Sequence, residues 1–308
     1  MSAESAPVLV TGATGRQGGA TARALLAAGV PVRALVRDPA RARAIEALGA
    51  ELVTGDLHDV DSVTRAAKGA RAVFSVQQAP FDGTGFDFPA EVEQGVNLIE
   101  GAKAAGVRQF VHTSVSGAGQ HVEAPGWAEG RWTEMEPTLG AKSAIQDRLR
   151  EAGFDRWTLL KPAFFMENFL PSMKFLFPRG IEGGLVSVVK PGTHLSLIAT
   201  EDIGDAAAAA IADPDRFHQV ELELAGDYLT MKEIAEVLSR AIGTPLAAPD
   251  MTEEEAFAAG MPGMGASHEW LNVTGQPARP EFATELGLEL TRFEDWAQRS
   301  RERLLEGE

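Results

Sequence analysis

Hydrophobic and polar positions alternate in a regular rhythm along the first half of the chain. Short apolar runs predict six strands: Val8–Val10, Val32–Val36, Glu51–Val53, Ala72–Val76, Gln109–Ser114 and Trp157–Leu160. Stretches with helical spacing predict five helices between or after them: Thr21–Ala28, Pro39–Leu48, Asp59–Lys68, Pro89–Ala105 and Gly140–Ala152. In the fourth of these helices, Val92, Val96 and Ile99 share one face. This alternation predicts an α/β fold, a doubly wound parallel sheet with helices on both faces.

The pattern changes after Pro162. Phe164–Leu195 contains no clear full-length helix, whereas Thr200–Ala212 is helical and Val220–Leu224 alternates like a strand. Three S/T-x-x-E patterns predict helix N-caps at Thr230, Thr252 and Thr291. We therefore predict that residues 1–162 form the doubly wound domain. Residues 163–308 form mainly a smaller, mostly helical lobe, with segments near 196–225 returning to the sheet.

A glycine-rich turn joins the first strand to the first helix, with the spacing G-x-x-G-x-x-G at Gly12, Gly15 and Gly18. The first glycine suits a tight turn, the second a close backbone approach, and the third packing of the helix on the strand. Backbone N–H groups and the positive end of the helix dipole meet there, so a pyrophosphate fits, as in a Rossmann domain. An ordinary βα turn is the alternative. The predicted dinucleotide contacts are Gly12, Thr14, Gly15, Arg16, Gln17 and Gly18.

The residues after the second strand bear on the choice of cofactor. Arg37 stands where an arginine accommodates the 2′-phosphate of NADP, and Arg16 and Arg41 can join it on a dianion. Asp38 keeps NAD as an alternative cofactor, because an acidic residue at this position hydrogen-bonds the ribose 2′-hydroxyl. We expect NADP(H) to be preferred, with NAD(H) as the alternative. Further cofactor contacts are predicted at the ends of the third and fourth strands: Asp56, Leu57, Gln77 and Gln78.

Composition narrows the class of protein. There are no cysteines, which excludes disulfides and thiolate catalysis, and the six histidines lack metal-binding spacing, so no metal is expected. A net charge of −16 argues against nucleic-acid binding. No apolar run approaches the ~18 residues of a membrane span, and the first residues lack the features of a signal peptide. We expect a cytoplasmic protein with no membrane partner.

Four motifs together resemble the NmrA-like proteins, which are atypical members of the short-chain dehydrogenase/reductase superfamily. They are the Gly12-Ala-Thr-Gly-x-x-Gly turn, Val36-Arg37-Asp38-Pro39, Gly55-Asp56-Leu57 and Lys161-Pro162-Ala-Phe-Phe-Met166-Glu167-Asn168. The resemblance covers nearly the whole chain. It implies a Rossmann domain with NAD(P) at the strand ends and a small lobe on the substrate side. It also implies either reduction of small molecules with NADPH, or a regulator that binds a dinucleotide and a protein partner.

The catalytic residues depart from the superfamily pattern. Typical members use Tyr-x-x-x-Lys, but here the segment ends in Lys142 with Thr138 at the tyrosine position. A threonine hydroxyl is a poor proton donor near neutral pH, so the usual mechanism is unavailable. The resemblance places Lys142 at the nicotinamide ribose and the substrate, as a cofactor-binding and catalytic residue, and Ser114 beside the substrate. An exposed lysine and a strand-capping serine are the alternatives.

Phe164, Phe165 and Met166 are predicted to line the substrate pocket, although aromatic residues in such numbers are also typical of a core. His112 is predicted to be a core histidine, because it lies inside a strand. The leading hypothesis is an NADPH-dependent reductase of a small carbonyl, enone or quinone-like substrate. The alternative is a non-enzymatic NAD(P)H sensor that acts through a protein partner. Lys142 favours the enzyme, and the missing tyrosine favours the sensor. The sequence leaves the oligomeric state open.

Overall fold

A computed structural model describes residues 6–306, apart from the side chain of Ala266. The chain divides into two compact units. The first contains the residues up to Gly119, Glu136–Lys161 and Thr200–Leu222, and the second contains Gln120–Met135, Pro162–Ala199 and the residues from Glu223 onward. Gln120–Met135 thus lies in the second unit, although we predicted it within the first domain.

A seven-stranded sheet forms the centre of the first unit. Its strands are β1 (Val8–Val10), β2 (Val32–Val36), β3 (Glu51–Thr54), β4 (Ala72–Ser75), β5 (Gln109–Thr113), β6 (Arg156–Pro162) and β9 (Val220–Leu224). Their order is β3-β2-β1-β4-β5-β6-β9, and every pairing from β3 to β6 is parallel. The order 3-2-1-4-5-6 is that of the Rossmann fold, in which ligands bind at the carboxyl ends of the strands. The predicted doubly wound sheet is therefore confirmed.

Six helices belong to the first unit: α1 (Arg16–Ala27), α2 (Arg43–Ala47), α3 (Val60–Ala67), α4 (Phe88–Ala104), α5 (Glu136–Glu151) and α6 (Thr200–Ala212). The predicted helix Pro39–Leu48 is wrong as a single element, because Pro39–Ala42 is a 3₁₀ turn that precedes α2. This turn is closed by an i→i+3 hydrogen bond from the backbone N–H of Arg41 to the carbonyl of Asp38, 3.2 Å. Helix α5 begins four residues before the predicted Gly140.

The second unit contains a three-stranded sheet with the order β10-β8-β7. Its strands are β7 (Phe164–Phe165), β8 (His194–Ile198) and β10 (Asp227–Thr230). Its helices are α7 (Met231–Ile242), α8 (Glu253–Ala258), α9 (Leu271–Thr274), α10 (Pro280–Glu285), α11 (Phe293–Arg299) and α12 (Arg301–Glu306). Short 3₁₀ turns occupy much of residues 166–183, where no full-length helix was predicted.

Two of the three predicted capping boxes form, at the starts of α7 and α8 with Thr230 and Thr252 as N-caps. The third prediction is wrong, because Arg292 rather than Thr291 is the N-cap of α11 and gives no side-chain cap. Asp227 takes over that role from a distant position, since its Oδ2 accepts the hydrogen bond of the Phe293 backbone N–H at 3.0 Å. A pattern of four consecutive residues cannot reveal such a long-range partner.

Each unit has its own apolar core. In the first, buried residues of the central strands, among them Leu9, Val73 and Phe110, pack with Leu98 of α4 and Ile145 of α5. In the second, the three-stranded sheet packs with α7 and α11 in a separate buried cluster. Within residues 6–306, no helix is long and apolar enough to cross a membrane.

Candidate functional site

The glycine turn leaves the N-terminus of α1 open. Gly12 has φ +62°, which favours glycine, and its carbonyl accepts the N–H of Gly15 at 2.8 Å. A Cβ on Gly18 would lie 2.3 Å from the carbonyl oxygen of Thr11, so the helix packs too closely on the strand for a side chain. Gly15 is the N-cap and makes no side-chain cap, and the first turn contains no acidic residue. The first-turn N–H groups of α1 are therefore available to an anion.

Side-chain hydrogen bonds of two threonines hold this turn against the neighbouring strand ends. The hydroxyl of Thr11 donates to the carbonyl of Val76 at 3.1 Å and accepts its N–H at 2.9 Å. The hydroxyl of Thr113, the last residue of β5, donates to Oε1 of Gln17 at 2.7 Å. Gln17, which we predicted as a cofactor contact, thus uses its carbonyl oxygen within the protein. Thr14 and Arg16 are exposed at the same turn.

The corner after β2 presents Arg37 to solvent. Within residues 6–306 its side chain makes no ion pair or hydrogen bond. Asp38 is engaged locally, because its Oδ1 accepts the N–H of Ala40 at 2.9 Å and caps the 3₁₀ turn. Arg41 is also exposed. The exposed guanidinium of Arg37 is therefore available to an anion at this corner.

The predicted cofactor contacts after β3, where we expect the adenine of the dinucleotide to lie, form a compact turn. Oδ1 of Asp56 accepts the N–H of His58 at 3.0 Å, and the carbonyl of Leu57 accepts the side-chain amide of Asn97 at 2.9 Å. Asp56 is exposed and Leu57 is partly buried. The turn therefore holds both residues in place through local hydrogen bonds, and their contact with an adenine stays a prediction.

Lys142 lies on α5 and is not an exposed surface lysine. Its ammonium is paired with Oε1 of Glu91 and donates to the carbonyl of Gln77 at 3.2 Å. The Lys142 side chain is 17% exposed and that of Glu91 only 2%. Since Val76 is bonded to Thr11, these contacts connect the ammonium to the glycine turn through two adjacent residues after β4. The structure therefore brings Lys142, Gln77 and the turn together.

Glu91, the buried partner of Lys142, is a residue of the candidate site that the sequence analysis missed. The predicted face of α4 carried Val92, Val96 and Ile99, but both valines are only partly buried. The buried positions are instead Glu91, Gly95, Leu98, Ile99, Gly101 and Ala102. The signal was present in the spacing, because Glu91, Gly95 and Leu98 follow i, i+4, i+7 and so share a face. A carboxylate on the buried face of a helix needs a partner, and Lys142 is that partner.

A buried polar chain continues from Gln77 into the sheet. The side-chain amide of Gln77 donates to the hydroxyl of Ser75 at 2.9 Å, and that hydroxyl lies 3.0 Å from Nδ1 of His112. Burial, together with the positive charge of Lys142, lowers the pKa of His112 to about 3. His112 is therefore a neutral, buried histidine. Oε1 of Gln77 is buried with no hydrogen-bond partner in residues 6–306. Gln78, in contrast, is exposed.

Ser114 directly follows β5 and is 5% exposed. Its hydroxyl accepts the side-chain amide of Gln146 of α5 at 2.7 Å. This bond uses the oxygen as an acceptor and leaves the hydroxyl proton for a second contact. The catalytic role of Ser114 stays a prediction.

The predicted pocket residues lie in the second unit. Met166 and Phe164 belong to its buried cluster, whereas Phe165 is partly exposed. The ring of Phe164 packs against His268, with 5.3 Å between centroids. Two of the three residues therefore contribute to the core of this unit, and their contact with a substrate stays a prediction.

Comparison with known proteins identifies the family. Residues 4–278 match the profile of the NmrA-like family. This chain belongs to the NmrA-like family. The resemblance drawn from four motifs in the sequence is thus confirmed over most of the chain, and it agrees with the observed strand order.

Relatives of this NmrA-like protein include both reductases and a regulator. It is 33% identical over 259 residues to an NAD(P)H azoreductase of Xenophilus azovorans, covering 84% of this chain and 81% of that one. Triphenylmethane reductase of Citrobacter sp., crystallised with NADP(H), has a TM-score of 0.78 at 20% identity, covering 96% and 99% of the two chains. NmrA, a negative transcriptional regulator crystallised with NAD, has a TM-score of 0.74 at 18% identity, covering 97% and 96%. The two structural likenesses show a shared fold.

Proposed function

We propose that this NmrA-like protein binds NADP(H) and reduces a small carbonyl, enone or quinone-like substrate. The sequence similarity to an NAD(P)H azoreductase over most of both chains supports this class of reaction. The residues also fit a dinucleotide. The first turn of α1 is uncapped and lacks acidic residues, and Arg37 is exposed and unpaired within residues 6–306. These groups suit a pyrophosphate and a 2′-phosphate respectively.

The observation that carries the proposal is the geometry of the Lys142 ammonium. An ammonium has three N–H donors, and two of them face Glu91 and the carbonyl of Gln77. The third has no acceptor within residues 6–306, so it can donate to an oxygen that gains negative charge, which is the role of a preorganised charge in catalysis. The cofactor, when bound, supplies the hydride. Lys142 stabilises the charge on the substrate oxygen, and Lys142 or water supplies the proton, since Thr138 replaces the usual tyrosine.

A single-turnover experiment tests this proposal. NADPH is mixed with the protein and a panel of quinones, enones and aldehydes, and its oxidation is followed by absorbance at saturating protein. We expect at least one class to be reduced, and NADPH to be used in preference to NADH. A protein that binds NADPH tightly but oxidises it with no member of the panel contradicts the reductase proposal.

One specific observation favours the second candidate, a dinucleotide-dependent regulator. Glu91 neutralises the charge of Lys142, so this ammonium can serve mainly to stabilise the fold. In addition, Thr138 cannot replace a tyrosine as proton donor. A regulator changes its conformation with the cofactor and needs no turnover. Limited proteolysis with NADP⁺, NADPH or neither tests this. A cleavage pattern that differs between NADP⁺ and NADPH, without any turnover, supports the regulator.

A further inference from the structure

The loop between β4 and α4 presents aromatic rings to solvent. In this loop, Ala79–Asp87, which we name the phenylalanine loop, Phe81 is 62% exposed and Phe86 41% exposed. Phe81 is the most exposed large apolar side chain in residues 6–306. The two rings lie 5.1 Å apart between centroids, and Phe88 continues the row at 6.1 Å from Phe86. An exposed cluster of rings on a monomer marks a surface that contacts something else.

The phenylalanine loop is held in one conformation by its own hydrogen bonds. Oδ1 of Asp82 accepts the backbone N–H groups of Thr84 at 2.8 Å and Gly85 at 3.0 Å, and the hydroxyl of Thr84 at 2.7 Å. The N–H of Asp87 donates to the carbonyl of Pro80 at 2.8 Å. The rings are therefore presented on a closed turn, and a partner that stacks on them orders little additional chain.

Lys142 contacts both segments that flank this loop. Its ammonium is bound to the carbonyl of Gln77 before the loop and to the carboxylate of Glu91 after it. Phe81 follows Gln77 by four residues, so their Cα atoms are at most ~14 Å apart. The exposed rings thus belong to the segment that is anchored at the proposed catalytic ammonium.

The charge of the loop limits what can stack on it. Hydrogen bonds from Thr84 and Gly85 lower the pKa of Asp82 to about 2, so the carboxylate next to Phe81 stays negative at neutral pH. Asp87 adds a second carboxylate beside Phe86. An aromatic anion is repelled by these groups, whereas a neutral or cationic ring is not.

We propose that the phenylalanine loop is a stacking platform for the substrate, and that this substrate is a planar, fused aromatic carbonyl compound that is neutral or cationic. This inference rests on the proposed reductase function, which it deepens by naming the substrate class. Aromatic stacking on Phe81 and Phe86 orients the ring system, and the Lys142 ammonium meets its carbonyl oxygen.

Steady-state kinetics with NADPH and two neutral quinones test the platform. Menadione has two fused rings and 1,4-benzoquinone has one. For Phe81→Ala we expect the KM for menadione to rise about 3- to 10-fold, with kcat nearly unchanged and a smaller effect on 1,4-benzoquinone. Phe86→Ala is expected to act in the same direction. Phe257→Ala is the matched control, because Phe257 is also exposed, at 42%, and lies on α8 of the second unit. Equal KM values in Phe81→Ala, Phe257→Ala and the wild type overturn the inference.

A sulfonated quinone tests the charge. The Asp82→Asn variant keeps a carbonyl oxygen for the turn and removes the negative charge. We expect it to lower the KM for 1,2-naphthoquinone-4-sulfonate about 2-fold relative to that for menadione. A wild-type protein that prefers the sulfonated quinone to menadione contradicts the proposed substrate class.

A binding measurement separates this inference from the reductase proposal. Menadione is titrated calorimetrically into the wild type and Phe81→Ala, each saturated with NADP⁺, so that no turnover is needed. Affinity that falls in Phe81→Ala supports the platform even if no quinone is reduced, whereas equal affinity overturns it. A wild-type dimer that Phe81→Ala converts to a monomer, with unchanged KM for menadione, also overturns it, since a second copy then covers the rings.

Discussion

The glycine turn and the Lys142–Glu91 pair form two parts of one candidate site, but they are built in opposite ways. The turn is exposed and made of backbone, and its residues lie within seven positions of the chain from Gly12 to Gly18. The pair is nearly enclosed, made of side chains, and joins positions 91 and 142 from two helices. The turn offers hydrogen bonds that an anion can take up directly, whereas the pair has already satisfied most of its charge internally.

This difference determines how each part responds to mutation. A side chain added to the turn alters a surface that a ligand approaches, so binding is affected before folding. A charge removed from the pair leaves its partner buried and unpaired, which destabilises the fold as well as the site.

Lys142→Met is expected to reduce both stability and turnover. It leaves the carboxylate of Glu91, with a side chain 2% exposed, without a partner, which costs about 3–5 kcal/mol in the free energy of unfolding. It also removes the charge proposed to stabilise the substrate oxygen, so turnover falls on the order of 100-fold or more. Urea unfolding and single-turnover NADPH oxidation measure the two effects. Lys142→Arg should recover little turnover, because a planar guanidinium does not replace a point charge.

The double variant Lys142→Met/Glu91→Leu separates these effects, because it removes both charges at once. We expect stability to return to within about 1–2 kcal/mol of the wild type, while turnover stays as low as in Lys142→Met. If turnover returns together with stability, Lys142 serves only to neutralise the buried carboxylate of Glu91, and its catalytic assignment is wrong.

Two substitutions distinguish the glycines of the turn. Gly15 has φ −96° and the nearest atom to an added Cβ is the carbonyl oxygen of Gly12 at 3.2 Å, so Gly15→Val should fold and abolish NADPH binding. An added Cβ on Gly18 lies 2.3 Å from backbone, so Gly18→Ala should destabilise the protein by about 1–3 kcal/mol or more. Thermal unfolding and calorimetric titration with NADPH measure both. A folded Gly15→Val protein with normal affinity shows that the dinucleotide binds elsewhere.

Arg37→Ala should change the choice of cofactor rather than the fold. The side chain is exposed and makes no hydrogen bond or ion pair within residues 6–306, so stability is expected to stay the same. Affinity for NADPH is expected to fall about 10-fold or more, and affinity for NADH to stay nearly constant, because only NADPH carries the 2′-phosphate. Arg43→Ala, at an exposed arginine five residues beyond Asp38, is the control. An equal loss for both cofactors counts against the assignment of Arg37.

The sequence revealed those parts of the molecule that depend on local chemistry. The strands, the glycine turn and the corner at Arg37 follow from periodicity and turn residues, and the structure contains these elements for that reason. Lys142 could also be located, since its segment resembles a known pattern. Its partner could not, because the apolar face of α4 was predicted at Val92, Val96 and Ile99, one position away from the buried face that contains Glu91.

Other differences have the same physical origin. The N-terminus of α11 is stabilised by Asp227, 66 positions away, rather than by the nearby threonine that the motif suggested. The phenylalanine loop carried no helical or strand period, so its hydrogen-bonded turn and the exposure of Phe81 emerged only with the structure. Side chains whose partners are distant in sequence are the features that local pattern cannot predict.

The smallest expected effect is a dependence of stability on pH. It tests the buried part of the candidate site, around the Lys142–Glu91 pair. The pKa of His112 is about 3 in the folded protein, against 6.5 for an unperturbed histidine. Between these values the unfolded chain binds a proton that the folded protein does not, so stability is full above pH 6.5 and falls as the pH is lowered towards 3. Each such histidine contributes up to about 1.4 kcal/mol per pH unit to the free energy of unfolding.

Urea unfolding of the wild type and His112→Leu at pH 7, 6 and 5 should show a dependence of stability on pH that is smaller in the variant by about this amount. His268 in the second unit, whose pKa burial lowers to about 4, is expected to keep its own contribution in His112→Leu. An identical pH slope in both proteins means that His112 accepts a proton in the folded state, and that the polar chain beside Lys142 is more open to water than its burial indicates.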